Sequence, residues 1–147
     1  VNEARNGERS WIGASRISGE LQSNKPCAVI VLYGANDLIN GDGYDTVLDS
    51  LRAMIVAARA NQTVPVLATL TPMTGPAFLW SGSVIELNAM IRLLAAEQLV
   101  ALADLEQAFG PLPELYLTDD GLHPNEFGND LIAETIAGVF LGPAEPD

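Results

Sequence analysis

Apolar residues fall into two alternating patterns along this chain. From Cys27 to Tyr33, and again from Val64 to Leu70, they form short, nearly unbroken runs rich in β-branched side chains, and Val100 to Leu105 is a briefer version of the same. Such runs suit strands buried on both faces. Between them, apolar positions recur every three or four residues, the spacing of a helix with one buried face. Val47, Leu48, Leu51, Met54, Ile55 and Ala58 mark one such face, and Val84, Leu87, Asn88, Ile91, Leu94 and Ala95 a second. Phe127, Leu131, Ile132, Thr135, Ile136, Val139 and Phe140 pack a last helix. Trp11, Ile12, Ala14, Ile17 and Leu21 predict a shorter helix over Arg9 to Leu21, weakened by Gly13 and Gly19.

Polar punctuation sets the boundaries. Lys25-Pro26 breaks the chain before the first apolar run. Thr46 to Asp49 and Ser83 to Glu86 read as capping boxes opening the two middle helices. Pro124 suits a first helical position, where its absent N–H is not needed. Gly142-Pro143 closes the last helix and leaves a frayed tail to Asp147. Residues 1 to 8 read as the tail of a strand entering a turn at Gly7. Strands alternating with helices predict right-handed crossovers and a parallel sheet covered on both faces. Chemistry in such folds collects at the carboxyl ends of the strands.

Composition narrows the function classes. At 147 residues the chain fits a single domain. Seven Lys and Arg against nineteen Asp and Glu give a net charge of −12, with one lysine, Lys25. That charge repels phosphate backbones and anionic headgroups, so nucleic acid and acidic membranes are poor partners. No continuous apolar run reaches the roughly 20 residues of a membrane span. Cys27 is alone, which rules out an internal disulfide and leaves a Cys/His zinc site without ligands. A buried, inert thiol is expected there.

The candidate chemistry lies in two short polar clusters. Asp119-Asp120-Gly121-Leu122-His123-Pro124 contains the only histidine. The spacing of Asp120 and His123 across a tight turn lets the carboxylate hold imidazole Nδ1 and leaves Nε2 free to take a proton. The competing reading is a capping loop whose histidine only binds water. Tyr33-Gly34-Ala35-Asn36-Asp37 follows the first apolar run. Asn36 there suits an oxyanion donor or a simple Asx-turn, and Asp37 a structural acceptor for loop amides. Gly7 offers a backbone N–H near a ligand or makes a turn. Ser81 and Ser83 are explained by helix capping, and Ser10, Ser15, Ser18, Ser23 and Ser50 have no motif around them, so the sequence holds no convincing nucleophile. Trp11, Phe78 and Trp80 are pocket, core or rim residues. The loop from Thr71 to Ser83, with Met73, Phe78, Leu79 and Trp80, is a candidate acyl-side wall.

The order of Gly7, then Gly34-Ala35-Asn36-Asp37 after a strand, then Asp120-Gly121-Leu122-His123-Pro124 before a terminal helix resembles the SGNH hydrolases, or GDSL-type esterases and lipases. The resemblance runs from Val1 to about Leu141. It implies a flavodoxin-like, three-layer α/β/α sandwich with a parallel sheet, a small ester substrate, and neither cofactor nor metal. It makes His123 the general base and acid, Asp120 its orienting partner, and the Gly7 amide and Asn36 side chain two oxyanion donors. It leaves the compartment open, with secreted and periplasmic locations compatible. The departure is the Gly-Asp-Ser-Leu block, which precedes Gly7 in the family and is absent from this sequence. Residues 1–147 are therefore expected to form one domain lacking its first strand and, alone, inactive. The expected partner is an N-terminal fragment carrying the serine, or a second copy completing the sheet. A non-catalytic ligand-binding module and an acyltransferase of the same superfamily are the alternatives.

Overall fold

Three parallel strands organise residues 1–142, the part of the chain that the computed structural model describes. They are β1 (Ala28–Val31), β2 (Val64–Ala68) and β3 (Ala101–Ala103), in the order β1-β2-β3. Val31 stands beside Leu67, and Leu67 beside Leu102. Side chains alternate between faces along each strand. One face carries Val29, Val31 and Leu67, packed with α1 (Ser10–Asn24), α3 (Tyr44–Ala60) and α4 (Ser81–Gln98). Met54, Ile55, Leu87 and Ile91 are wholly buried in this main core. Ile30, Ala68 and Ala103 carry the other face, against Ile132, Ile136 and Val139 of α6 (Glu126–Leu141) and Leu105 of α5 (Leu105–Phe109). A parallel sheet covered on both faces results, as the alternation predicts.

Several boundaries differ from the sequence reading. Residues 1 to 8 form no strand, because no strand runs beside them to take their hydrogen bonds; β1 pairs only with β2 among the described residues. For the same reason β1 has one open edge, and Ala28, Val29 and Ile30 are only partly buried. After Gly34 the expected turn is a short helix, α2 (Ala35–Ile39). Helix α3 starts at Tyr44 behind Gly43, so Thr46 lies inside it and its carbonyl accepts from the Ser50 hydroxyl at 2.7 Å. Helix α4 starts at Ser81, directly after a 3-10 turn over Gly75–Trp80, so Ser83 caps nothing. Strand β3 stops at Ala103 because the Asp104 carboxylate accepts from the Gln107 N–H and opens α5.

Pro124 lies in an isolated antiparallel bridge with Leu117, and Asn125 caps α6 by accepting from Gly128 N–H at 3.0 Å. Helix α6 is only half-packed, with Phe127 and Phe140 exposed rather than buried. Cys27 is exposed, against the expectation of a buried thiol, because it precedes the strand at the open side of the sheet. Trp11 and Phe78 are rim residues, the former stacked under the Arg9 guanidinium at 5.2 Å. The expected tail after Gly142 lies outside the described residues. The helical stretch Gly75–Gln98 is long and apolar enough to cross a membrane by length and composition. Here its Val84, Leu87, Ile91 and Leu94 belong to the main core, which is the role of a core helix in a globular domain.

Candidate active site

The carboxyl ends of β1 and β2 open into a cleft of about 210 Å³. Asn6, Glu8, Tyr33, Asn36, Met73 and His123 are among the residues that line it. Thus Asn36 and His123, separated by most of the chain, meet at one sheet edge.

The loop holding His123 is fixed from within. Thr118 N–H donates to the His123 carbonyl at 2.8 Å, and Gly121 N–H to the Thr118 carbonyl at 2.9 Å. Thr74 N–H donates to the Gly121 carbonyl at 2.9 Å, tying this loop to the one after β2. Gly121 has φ +69°, and a Cβ there would collide with the Thr74 carbonyl. Only glycine meets both demands.

Asp120 sits at the centre of this loop. Its Oδ2 lies 2.7 Å from His123 Nδ1, and its Oδ1 accepts from the Leu122 N–H at 2.8 Å, the His123 N–H at 2.9 Å and the Thr118 hydroxyl at 2.8 Å. The His123 ring, then the two backbone donors, then Thr118 hold this carboxyl well below the usual carboxylate range. An ionised carboxylate accepts, so Nδ1 carries the hydrogen and the Nε2 lone pair is free. The His123 side chain is two-thirds exposed, at 66%.

Asn36 donates one amide hydrogen to the Glu8 carbonyl at 3.2 Å. A carboxamide nitrogen has a second hydrogen, which this bond orients. Gly7 is exposed, with φ +71°, in the turn between the cleft residues Asn6 and Glu8. Asp37 is fully buried and accepts from both the N–H and the hydroxyl of buried Ser10, at 3.0 and 2.6 Å. That pair joins the starts of α1 and α2 and leaves Ser10 no freedom as a nucleophile. No serine is among the residues lining the cleft. Among the described residues no three His, Cys, Asp or Glu side chains are grouped to hold a metal ion.

Sequence reasoning missed Glu8 and Arg16, and named Tyr33 in a cluster without giving it a role. The Glu8 side chain is only 5% exposed and pairs with Arg16 at 2.8 Å, and the Tyr33 hydroxyl donates to it at 2.5 Å. Burial and the Glu8 carboxylate push the Tyr33 hydroxyl up to about 12, while the Arg16 guanidinium pulls Glu8 down. Three elements meet to make this cluster, and no local spacing announces it. Asn88 was visible as a polar residue on an apolar helix face. It is fully buried, accepting from Leu70 N–H at 2.7 Å and donating to the Leu70 carbonyl at 3.0 Å, and so pins the start of the loop after β2.

Comparison with known proteins identifies the family and the fold. The sequence matches the GDSL-like lipase/acylhydrolase family over residues 1–131. No curated protein matches it. A carbohydrate esterase family 3 structure from Talaromyces cellulolyticus is similar with a TM-score of 0.82 and 28% identity, over 95% of this chain and 69% of that one. A serine-to-alanine mutant of an acetyl esterase, solved with an acetate ion, gives 0.80 and 28% over 92% of this chain and 67% of that one. A catalytic serine-to-alanine mutant of an acetylxylan esterase from Geobacillus stearothermophilus shares the fold, with a TM-score of 0.84 at 17% identity over 96% and 71% of the two chains. A family match over residues 1–131, together with a parallel α/β fold shared with these esterases, places the chain in the GDSL-like lipase/acylhydrolase family, the SGNH hydrolases.

Proposed function

We propose that this chain carries the acid–base and oxyanion half of a serine ester hydrolase that removes short acyl groups. The observation that carries the reading is the Asp120–His123 pair at 2.7 Å, facing the same cleft as the Asn36 amide. The nucleophilic serine is assigned to a strand outside residues 1–147, running parallel to β1 along its open edge. A groove of about 490 Å³ adjoins β1, with residues 1–5, Val29, Ile30 and Val31 among those lining it. A parallel strand laid there would end beside Gly34, at the cleft. Two similar structures are serine-to-alanine mutants of acetyl-releasing esterases, one of them a catalytic mutant.

In the reaction, His123 Nε2 takes the proton from the serine hydroxyl as its oxygen attacks the ester carbonyl. Negative charge gathers on the carbonyl oxygen, where the free Asn36 N–H and the Gly7 backbone N–H donate to it. His123 then gives its proton to the departing alcohol. Water repeats the cycle on the acyl-enzyme and releases the acid. Asp120 keeps Nδ1 protonated and stabilises the imidazolium at each stage. The cleft, about 210 Å³ with Ile39, Met73 and Leu122 on its wall, suits a small acyl group such as acetyl, and the carbohydrate and acetyl esterases among similar structures support that class.

The test is hydrolysis of an aryl acetate by the chain mixed with a synthetic strand–helix peptide bearing Gly-Asp-Ser-Leu. Activity should emerge on mixing and fall by about three orders of magnitude or more with His123→Ala. A mixture as active with His123→Ala as without it refutes the assignment. The absence of serine from the cleft-lining residues favours one second reading, a module that binds acyl ligands without cleaving them. Acetate binding by the single chain, with no hydrolysis once the peptide is bound, is the result that reading requires.

A further inference from the structure

Among the described residues Glu8 is the only acidic one lining the cleft, and an anion there opposes a reaction that gathers negative charge on the substrate. The structure surrounds it with compensation. Glu8 Oε2 accepts from Arg16 Nε at 2.9 Å, and Oε1 accepts from Arg16 Nη2 at 2.8 Å and from the Tyr33 hydroxyl. Arg16 is itself fastened by Glu20 at 3.1 Å and by the Glu3 carbonyl at 2.6 Å. Gly13 of α1 makes room for this, because a Cβ there would collide with the Tyr33 ring and hydroxyl. The same Glu8 residue holds the Asn36 amide through its backbone carbonyl. Clamping the side chain therefore fixes the carbonyl, and the carbonyl fixes the donor.

We propose that Glu8 is a positioning residue for the oxyanion donor: Arg16 and Tyr33 neutralise and immobilise its carboxylate, and its carbonyl aims the free Asn36 N–H at the substrate oxygen. The proposal rests on the esterase reading for its purpose, but its geometry is testable without catalysis. The first measurement is ¹⁵N NMR of the Asn36 side-chain amide in the chain alone, assigned with Asn36→Asp. In the wild type its two hydrogens should have well-separated shifts and exchange slowly. In Tyr33→Phe and Arg16→Gln, shown to be folded by circular dichroism, the two should converge and exchange faster. Unchanged Asn36 resonances in a folded variant overturn the proposal, and if Arg16→Gln does not fold, Tyr33→Phe decides alone.

The second measurement uses the chain completed with its serine-bearing peptide. Arg16→Gln leaves the Glu8 anion uncompensated, and should lower kcat by about 10- to 100-fold with KM little changed, somewhat less than loss of a whole oxyanion donor. Adding Glu8→Gln to Arg16→Gln should recover most of that loss, because the offending charge is gone. A packing role alone predicts no recovery, and a double variant as slow as Arg16→Gln overturns the electrostatic half of the proposal. An inactive mixture refutes the esterase reading and leaves the NMR result to stand for itself.

Discussion

The Asp120 carboxylate accepts four hydrogen bonds, two from backbone N–H groups, and this ties the acid–base pair to the shape of its own loop. Protonating it removes acceptor strength that the loop relies on. Its folded-state pKa is depressed, so its stabilising contribution is fully present above the ordinary aspartate value near 4 and is lost as pH falls below that. The Asp120 carboxyl ¹³C resonance should therefore keep the shift of an ionised carboxylate down to about pH 4 and reach that of the protonated acid only at lower pH; a carboxyl already half-protonated above pH 4 contradicts the arrangement. Gly121→Ala should destabilise the chain by at least the 1–2 kcal/mol (approximately) of a left-handed backbone, plus the collision with Thr74, as read from the denaturant midpoint. Asp120 and His123 were legible in the sequence because their contact is made inside one turn. Asn36 was legible as a polar residue at a strand end. The roles of Glu8, Arg16 and Tyr33 were not, since their contacts form only once α1 and β1 have packed.

Among the elements, those marked by long periodicity were read well and their ends were not. The apolar faces of α3 and α4 lie in the main core as the spacing predicts. Their starts differ because the capping-box pattern weighs only local side-chain bonds, whereas Gly43 and the 3-10 turn over Gly75–Trp80 start each helix three residues earlier. Short helices such as α2 and α5 contain too few turns to show a period. The element with most leverage on the cleft is α4, through Asn88. Asn88→Ala leaves a buried N–H and a buried carbonyl of Leu70 without partners, which should destabilise the chain by about 2–4 kcal/mol in urea unfolding. A change near zero would show that the loop after β2 does not depend on that amide.

At the scale of the molecule, the alternation of elements made the parallel α/β architecture legible, and similar structures with TM-scores near 0.8 share it. The state of β1 was not legible from its own residues. Its apolar run reads as a strand buried on both sides, yet only one edge is paired and the groove beside it is open. Whether a strand is central depends on its neighbours, which its own sequence does not encode. The central claim is that His123 activates a serine brought to this edge. Its most direct test is intact mass spectrometry after exposure to a fluorophosphonate, which phosphonylates an activated serine with loss of fluoride. The account predicts a single adduct on the serine of the added Gly-Asp-Ser-Leu peptide when it is bound to the wild-type chain, and none when it is bound to the His123→Ala chain. An adduct that forms equally with both chains, or none with the wild type despite bound peptide, contradicts it.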